Sequence, residues 1–581
     1  MRPCGGECNR IFPARQCSVF QDKDEHITIR IMRRSAPTAL FLIVLATRVP
    51  FATRYLFDWD SVQFALGIER FDMVHHQPHP PGYVLYLGAA QLLSVLTRDV
   101  NAGFVVLSIL ASAAATVMVF LLAEQLVRNR TAAILVALAF AFNPFFWFYG
   151  EVALNYSGDA FISVAAAYVT LRILREKRAH LLLPLTALLA LYGGYRQSST
   201  LLLLPLWILS FAALVRAKRC TIRDVLLNVG VGVGLTALWL VPLIGLAGGI
   251  GAFMAVLGAQ AAISAGTTSP FLGAPFGATM AKAAFVGKTI LAILHAALVV
   301  PLAVVIFRRP VRGLIRPGDG ILAVIALVWV LPSLFVYLFI HMGGSGYLMT
   351  VAPALLLLFL FPAARMMEQD RGRAIAAGLF AFVIASGALS FLLLNDPAFR
   401  RVPALWEAAK FVERKNHLVT TFTRTTLAQR DASLDQILSS IRAHPPETTA
   451  IVTEIGMRFR PPGSDVWRDG TQPYFRHMGY YLPAYDVTEL VGGEPSFFKT
   501  RWHAPASRTL GKDIPIPADT ETIVIVTDYV DRDVQAASGI REELLLPSRT
   551  YLFWIDARGK DTVDYAGFTF HKSDAALLPM P

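Results

Sequence analysis

Long runs of apolar residues, separated by short polar connections, make up most of the chain. Runs of about 20 such residues match the thickness of the hydrocarbon core of a membrane. They predict eleven membrane-spanning helices, at residues 36–56, 102–126, 131–149, 158–174, 180–195, 198–215, 225–248, 286–307, 320–340, 347–364 and 374–394. The expected fold is therefore a polytopic α-helical membrane protein, with a transmembrane domain over residues 32–394.

The pattern changes after the last of these runs. From there the chain is charged, contains proline and is no longer continuously apolar. Leu427–Ile441 has a helical pattern, and short stretches rich in β-branched residues predict strands at Thr449–Glu454, Thr520–Thr527 and Thr550–Ile555. We therefore expect residues 395–581 to form a separate α/β domain.

Composition and charge agree with the membrane interpretation. The 581 residues are 55% hydrophobic and 16% charged, whereas a soluble domain has about 25% charged residues. The net charge of +12 comes largely from alternate connections, which carry the basic residues that mark the cytoplasmic side. This rule predicts a cytoplasmic N-terminus, an extracytoplasmic C-terminal domain and no nucleic-acid partner, from the clusters at Arg33–Arg34, Arg128–Arg130, Arg172–Arg178, Arg216–Arg223, Arg308–Arg316 and Arg365–Arg373.

Residues 1–31 precede the first apolar run and contain three of the four cysteines, Cys4, Cys8 and Cys17. A metal knuckle would need a second pair of cysteines, which this stretch does not have. We interpret residues 1–31 as a disordered leader or as a mis-assigned start, with Met32 as the true first residue.

The first outer connection, Phe57–Pro81, holds the densest set of groups capable of chemistry. Its acidic and histidine residues are Asp58, Asp60, Glu69, Asp72, His75, His76 and His79. Residues 60–71 are expected to form a helix along the membrane surface, and residues 82–96 a second one. Trp59, Phe64 and Leu66 of the first helix are expected to face lipid.

Three other outer connections carry polar residues. Glu151, Asn155 and Asp159 follow the third span, and Arg196 interrupts an apolar hairpin at GGYRQSS. The Gly-rich stretch of residues 249–287 is expected to be a flexible loop.

Several of these motifs, in this order, resemble those of the membrane-embedded GT-C glycosyltransferases over about residues 36–365. The branch is that of protein O-mannosyltransferases, lipid A aminoarabinose transferases and rhizobial galacturonic acid transferases. Asp60–Ala65 is similar to the pattern D-E-x-R-Y-A, with Ser61 in place of the second acid, and His79–Tyr83 to K-P-P-L-Y. The other motifs that recur in order are Asn143-Pro144, Arg196 (where many relatives have lysine) and Gly346-Tyr347-Leu348 before Pro353.

The resemblance implies a sugar transferase of the cell inner membrane. Its donor would be a lipid-linked sugar, carried on a polyprenyl phosphate. The acceptor would be a hydroxyl of an envelope glycan, lipid or protein, attacked with inversion at the sugar carbon. Asp60 would be the catalytic base, since an attacking hydroxyl must lose its proton. Arg196 would bind the donor phosphate, and further substrate contacts are expected from Glu151, His79, Asp58 and Tyr347. No metal or cofactor is expected.

Simpler interpretations remain open for each of these residues. Asp58 and Asp60 could be solvated acids, with Asp58 capping a helix. Glu151 could be an ordinary acid at the end of a helix. Arg196 could reach the lipid headgroups, and Tyr347 could be an ordinary interfacial tyrosine. His75, His76 and His79 together could bind a metal.

Two other functional classes also remain. A transporter or flippase of lipid-linked sugars would show repeated halves and charges near the membrane midplane, and the sequence shows neither. A scaffold with an outer sensing domain would have no use for the acids of the first connection.

Overall fold

The structure is a computed structural model. It describes residues 35–266, 268–306, 319–455, 458–459, 468–469, 474, 476–491, 496–499, 509–527, 540–545, 550–565 and 567–573. The expected leader, residues 1–31, lies outside the described residues.

Most of the described chain is helical. We number the helices α1 to α20, with α1 at Ser35–Phe51 and the others at α2 Trp59–Glu69, α3 Val84–Thr97, α4 Val100–Leu126, α5 Arg130–Ala141, α6 Pro144–Tyr149, α7 Tyr156–Glu176, α8 Leu182–Tyr195, α9 Gln197–Arg216, α10 Ile222–Leu246, α11 Ile250–Gly266, α12 Phe276–Leu294, α13 Val299–Ile306, α14 Asp319–Phe339, α15 Ala352–Met366, α16 Asp370–Leu393, α17 Pro403–Lys415, α18 His417–Thr421, α19 Arg424–Arg442 and α20 His477–Tyr481.

Every predicted span overlaps a helix, and the protein is a polytopic helical membrane protein. Within the described part of the chain, seven helical segments are long and apolar enough to cross a membrane, and six more apolar helices are shorter. Burial inside the protein does not account for the apolar composition of these helices, as the surface of α10 shows. Its exposed side chains are large and apolar, as expected for contact with lipid, and include Leu226, Val229, Val233, Leu238 and Val241.

The predicted span at residues 131–149 is two helices. Helix α5 ends at Ala141. The Asn143 side-chain oxygen accepts a hydrogen bond from the Phe146 amide, at 3.4 Å, as the N-cap of α6. Pro144 occupies the first position of α6, where its fixed φ angle suits a helix start and its missing N–H costs nothing. The Asn143-Pro144 motif therefore marks a helix boundary.

Two expectations about the outer connections were wrong. Phe64 and Leu66 are buried, not lipid-facing, because α2 packs on α3 and α4; the Phe64 ring lies 5.0 Å from that of Tyr86. Trp59 is exposed, at 47% of its surface. Residues 249–287 are not a flexible loop, since they contain α11 and most of α12.

The C-terminal part contains twelve strands among its described residues. They are β1 Thr449–Ile455, β2 Arg458–Phe459, β3 Arg468–Asp469, β4 Asp486–Val491, β5 Ser496–Lys499, β6 Thr509–Leu510, β7 Asp513–Ile516, β8 Thr522–Thr527, β9 Ile540–Leu545, β10 Thr550–Asp556, β11 Thr562–Tyr565 and β12 Phe568–Lys572. Seven form one sheet in the order β6-β5-β4-β1-β8-β10-β9, three form a second sheet in the order β11-β12-β7, and β2 pairs with β3.

The large sheet is mixed and has a covered face on each side. Its centre is parallel, with β1 between β4 and β8, and its other pairs are antiparallel. Successive side chains of a strand point to opposite faces. Thus Val524 and Val526 pack with the apolar side of α19, whereas Ile523 and Ile525 pack with the three-stranded sheet.

Contacts among the basic connections show that several of them meet at one end of the helix bundle. Four hydrogen bonds join the α4–α5 connection, the end of α7, the start of α14 and the α15–α16 connection. They are Arg128 N to Glu368 Oε1 at 2.6 Å, Asn129 Nδ2 to Met367 O at 3.0 Å, Arg175 Nη1 to Gln125 O at 2.5 Å and Arg365 Nη2 to Asp319 Oδ1 at 2.7 Å.

The close packing of α3 on α4 depends on Gly103. A Cβ atom at this position would overlap Ser94 and lie 2.7 Å from the carbonyl oxygen of Ala90, in the backbone of α3. We expect Gly103→Ala to lower the free energy of unfolding by about 1–3 kcal/mol through overpacking, measured by thermal unfolding in detergent. Gly230→Ala on α10 is the control, because no heavy atom lies within 4 Å of its Cβ position. Equal melting temperatures for the two variants would contradict this packing.

Candidate functional site

Asp58 fixes the start of α2 and therefore the position of Asp60. The Asp58 side chain accepts a hydrogen bond from the Asp60 amide at 3.1 Å, and the Ser61 hydroxyl accepts one from the Asp58 amide at 3.3 Å. This reciprocal arrangement is a capping box, which satisfies amides that a helix start leaves free. Asp58 therefore acts as an N-cap, and Asp60 lies in the first turn, where the helix dipole favours negative charge.

Burial makes both carboxyls weaker acids than usual. The pKa of Asp58 is raised to about 6 by burial and by the neighbouring charge of Asp60. The pKa of Asp60 is also raised to about 6 by burial, against the opposing effect of the Arg196 cation. Asp60 is 26% exposed at its side chain, so it can meet a substrate. At neutral pH it remains mostly ionised and is a better proton acceptor than an ordinary aspartate.

His79 lies between Asp60 and the start of α3. Its Nδ1 atom is 3.6 Å from Asp60 Oδ1, and its Nε2 atom is 3.0 Å from the Tyr83 hydroxyl. Burial lowers the pKa of His79 to about 3, so the ring is neutral at pH 7 and does not form an ion pair with Asp60. A neutral imidazole has one donor and one acceptor nitrogen. With Nε2 engaged by Tyr83, the buried Nδ1 atom faces Asp60.

Arg196 is a buried cation held by a carboxylate of α7. It occupies the turn between α8 and α9 and is 4% exposed. Its Nη1 atom forms an ion pair with Asp159. Asp159 also accepts hydrogen bonds from Tyr192 at 2.9 Å and from Ser199 at 2.6 Å. Both oxygens of the carboxylate are therefore used, and the guanidinium is fixed in one orientation.

Two tyrosine rings complete the surroundings of Arg196. Its guanidinium carbon lies 4.7 Å from the centroids of the Tyr156 and Tyr347 rings, within the range of a cation–π interaction. Gly346 permits this arrangement, because a Cβ atom there would overlap the Tyr156 ring. The Gly346-Tyr347 motif thus places one tyrosine against the arginine.

Glu151 belongs to a different set of contacts. Its Oε1 atom accepts a hydrogen bond from Trp147 Nε1 at 2.7 Å, and its carbonyl oxygen accepts one from the Thr53 amide at 3.1 Å. Burial raises the pKa of Glu151 well above its usual value, against the attraction of Arg48. Glu151 therefore ties the end of α6 to the segment that follows α1.

The structure thus brings together Asp60, His79, Arg196 and Tyr347, with Asp58 as the cap of the helix that carries Asp60. Sequence reasoning did not assign roles to Tyr83, Tyr156 or Asp159, which hold these groups in place. A usable signal existed for Asp159, because an acid inside an apolar helix requires a partner.

The histidines of the first outer connection are not grouped together as ligands in the described part of the chain. His75 Nδ1 contacts Asp72 Oδ2 at 2.7 Å. Throughout the described ranges, no group of three or more His, Cys, Asp or Glu side chains could hold a metal ion.

The ion pair between Arg196 and Asp159 is expected to be a strong determinant of stability. Removal of one partner from a buried pair leaves an uncompensated charge, which costs about 3–5 kcal/mol. We therefore expect Asp159→Ala to lower the free energy of unfolding by this amount, and Ser199→Ala, which removes one hydrogen bond to the same carboxylate, by about 1 kcal/mol. Thermal unfolding in detergent measures both. The double variant Asp159→Ala/Arg196→Leu should recover part of the loss; no recovery would show that the two charges are not coupled.

Comparisons with known proteins find a matching family model and similar solved structures. Residues 73–221 match the family model described as the Protein O-mannosyl-transferase TMEM260 N-terminal domain. No curated protein matches the chain. Two crystal structures of ArnT from Cupriavidus metallidurans are similar to it, both at 15% sequence identity. The structure bound to undecaprenyl phosphate has a TM-score of 0.45 and covers 89% of this chain and 97% of that one. The apo structure has a TM-score of 0.48 and covers 90% and 98%.

The matched residues include His79 and Arg196 of the candidate site and their neighbours Tyr83 and Asp159, whereas Asp58, Asp60 and Tyr347 lie outside the match. The predicted resemblance is confirmed over residues 73–221, where the chain is similar to the GT-C membrane glycosyltransferases of the protein O-mannosyltransferase branch.

Proposed function

We propose that the chain is an inverting glycosyltransferase of the cell inner membrane. It would move a sugar from a polyprenyl-phosphate donor to a hydroxyl of an envelope glycan, lipid or protein. One observation carries this proposal: a partly exposed carboxylate with a raised pKa, Asp60, lies within electrostatic reach of a buried cation, Arg196.

Asp60 is the proposed base. As the acceptor oxygen attacks the anomeric carbon, its proton passes to the Asp60 carboxylate, a new C–O bond forms, and the bond from the sugar to the donor phosphate breaks. Attack from the side opposite the phosphate inverts the configuration at that carbon. A pKa of about 6 keeps this carboxylate ionised at neutral pH while increasing its basicity.

Arg196 is the proposed partner of the departing phosphate. A glycosidase needs a second carboxylic acid to protonate its leaving oxygen, but a lipid phosphate leaves as a stable anion and needs a positive charge instead. An arginine offers several donors in one plane for phosphate oxygens. Tyr347 lies against the Arg196 guanidinium and the neutral ring of His79 lies beside Asp60, and both are proposed to contact the sugar or phosphate. Asp58 and Glu151 are proposed to act by holding the backbone.

The outer face of the membrane is the proposed location of the reaction. Basic connections meet at one end of the bundle, through Arg128, Arg175 and Arg365, and basic connections are typical of the cytoplasmic side. The site residues Asp60 and Arg196 lie in connections between these, which supports an extracytoplasmic site, a cytoplasmic N-terminus and an extracytoplasmic C-terminal part. The donor class is supported by the match to a protein O-mannosyl-transferase family model.

Loss of the base should strongly slow sugar transfer. In a strain that lacks the gene, we expect mass spectrometry of envelope glycans, lipids and proteins to show a missing sugar that the wild-type gene restores. Asp60→Asn should reduce the rate of restoration by about 100- to 10,000-fold, since it removes general base catalysis.

Asp99→Asn is the matched control for this substitution. Asp99 caps α4, and asparagine caps a helix about as well as aspartate does, so this variant should restore the sugar fully. If Asp60→Asn, present at the wild-type amount in the membrane, also restores it fully, Asp60 is not the base. A flippase of the lipid-linked sugar would then explain the phenotype better.

The raised pKa of Asp60 predicts how the rate depends on pH. A base must be deprotonated to act, so transfer should be constant near neutral pH and should fall about tenfold per pH unit below about 6. The rate of sugar incorporation in spheroplasts, whose outer face is accessible to buffer, measures this dependence. Spheroplasts of a strain rescued by a different sugar transferase serve as the control for general effects of acid. A rate that stays constant down to pH 4 would contradict the role of a carboxylate with this pKa.

A further inference from the structure

The segment of residues 53–57 leads directly into the capped start of α2. Its backbone runs between the helix bundle and the C-terminal part of the chain. On the bundle side, the Thr53 amide donates to the Glu151 carbonyl at 3.1 Å. The Thr53 hydroxyl donates to the same carbonyl at 3.1 Å, and the Thr53 carbonyl accepts a hydrogen bond from Asn101 Nδ2 at 2.7 Å. The backbone hydrogen bonds of residues 54–57 instead come from side chains more than 370 positions further along the chain.

Asp431 of α19 binds two successive amides of this segment. Its Oδ2 atom accepts a hydrogen bond from the Arg54 amide at 2.8 Å, and its Oδ1 atom accepts one from the Tyr55 amide at 3.2 Å. An ionised carboxylate that accepts two backbone hydrogen bonds is held more strongly than a neutral group would be. This contact fixes the direction of the backbone before it reaches Asp58.

Three further side chains bind the next two residues. The Leu56 amide donates to the Tyr481 hydroxyl oxygen at 2.9 Å, and His477 Nε2 donates to the Leu56 carbonyl, also at 2.9 Å. Arg430 Nε donates to the Phe57 carbonyl at 3.1 Å. The backbone on the approach to the N-cap is therefore bound by side chains of both α19 and α20.

Arg430 also connects this clamp to the acids of the site. Its guanidinium carbon lies 4.2 Å from the centroid of the Tyr474 ring. Its positive charge opposes the rise in the pKa of Asp58 that burial causes. Because Asp58 caps α2 through the Asp60 amide, a displacement of residues 54–57 would carry Asp60 with it.

We propose that the C-terminal part is a positioning element of the active site, through four residues that we call the clamp: Arg430, Asp431, His477 and Tyr481. They act through the backbone of residues 54–57 and set where the Asp60 carboxylate meets the acceptor. This inference rests on the proposed role of Asp60 as the base. Displacements of about 1 Å can lower a rate by about 100-fold, so loss of a clamp contact should slow transfer without unfolding the protein.

The most conservative test removes a single oxygen atom. Tyr481→Phe deletes the acceptor for the Leu56 amide, while the ring can keep its edge-on contact with Tyr55, at 5.4 Å between centroids. Tyr485→Phe is the matched control, since that hydroxyl donates to the His444 carbonyl at 2.8 Å, within the C-terminal part. We expect sugar restoration in the deletion strain to be about tenfold slower for Tyr481→Phe and unchanged for Tyr485→Phe.

A stronger perturbation uses the two aspartates of α19. Asp431→Asn removes one of the two amide acceptors, whereas Asp435→Asn alters only a contact with the Tyr55 hydroxyl at the surface, at 2.6 Å. We expect transfer to fall about 10- to 100-fold for Asp431→Asn alone. Arg430→Lys, which keeps a cationic donor, should retain more activity than Arg430→Gln.

Amide hydrogen exchange separates positioning from unfolding. In full-length Asp431→Asn, the amides of residues 54–56 should exchange faster, while those of β1 and β8 in the sheet should remain protected. If the sheet also loses protection, Asp431→Asn is unfolded. The comparison of Tyr481→Phe with Tyr485→Phe then tests the clamp. Wild-type rates for both Tyr481→Phe and folded Asp431→Asn would overturn the clamp. Failure of the wild-type gene to restore any sugar would instead overturn the proposed function.

Discussion

A cation buried at the end of an apolar helix bundle must be paired, and the candidate site is built around this requirement. Arg196 is 4% exposed, and without a partner its charge would be expensive to keep in such surroundings. Asp159 supplies the partner from α7, and Tyr156 and Tyr347 supply the faces of two rings. The positions of α7, of the α8–α9 turn and of the segment before α15 are thereby linked.

The two carboxylates near Arg196 have different relations to it. Asp159 is bonded to the guanidinium and has both oxygens engaged, so it serves as a structural counter-ion. Asp60 interacts with the same cation without a direct bond and stays partly exposed. One acid therefore stabilises the arginine while the other remains free for proton transfer. The neutral state of His79 keeps a second positive charge away from Asp60.

The sequence predicted the elements well because their signals are local. About 20 consecutive apolar residues predict a membrane helix wherever they occur, and the strands at Thr449, Thr522 and Thr550 follow from β-branched runs. It did not predict that Phe64 and Leu66 face protein, because periodicity identifies an apolar face but not what covers it. The glycines of residues 249–287 predict a loop, but glycine is common in membrane helices, and α11 forms within this stretch.

The candidate site was only partly predictable, for a related reason. Asp60 and Arg196 stand out as charges beside apolar runs, and the motif order suggested their roles. Which acid pairs with which base is decided by tertiary packing, so the pairing of Arg196 with Asp159 could not be derived from spacing. No local pattern predicts the contacts of Asp431 and Tyr481 with residues 54–56, because these partners are far apart in the sequence.

The bonds to residues 54–57 also impose an order on the biosynthesis of the protein. The Arg54 amide leaves the ribosome 377 residues before its acceptor, Asp431, which corresponds to a delay of roughly 20–75 s at about 5–20 residues per second. During that interval the first helices are already in the membrane, while the segment before α2 has no partners for these backbone groups. A nascent chain that stops before α19 would therefore carry every residue proposed to touch the substrate, yet lack the bonds that orient its base.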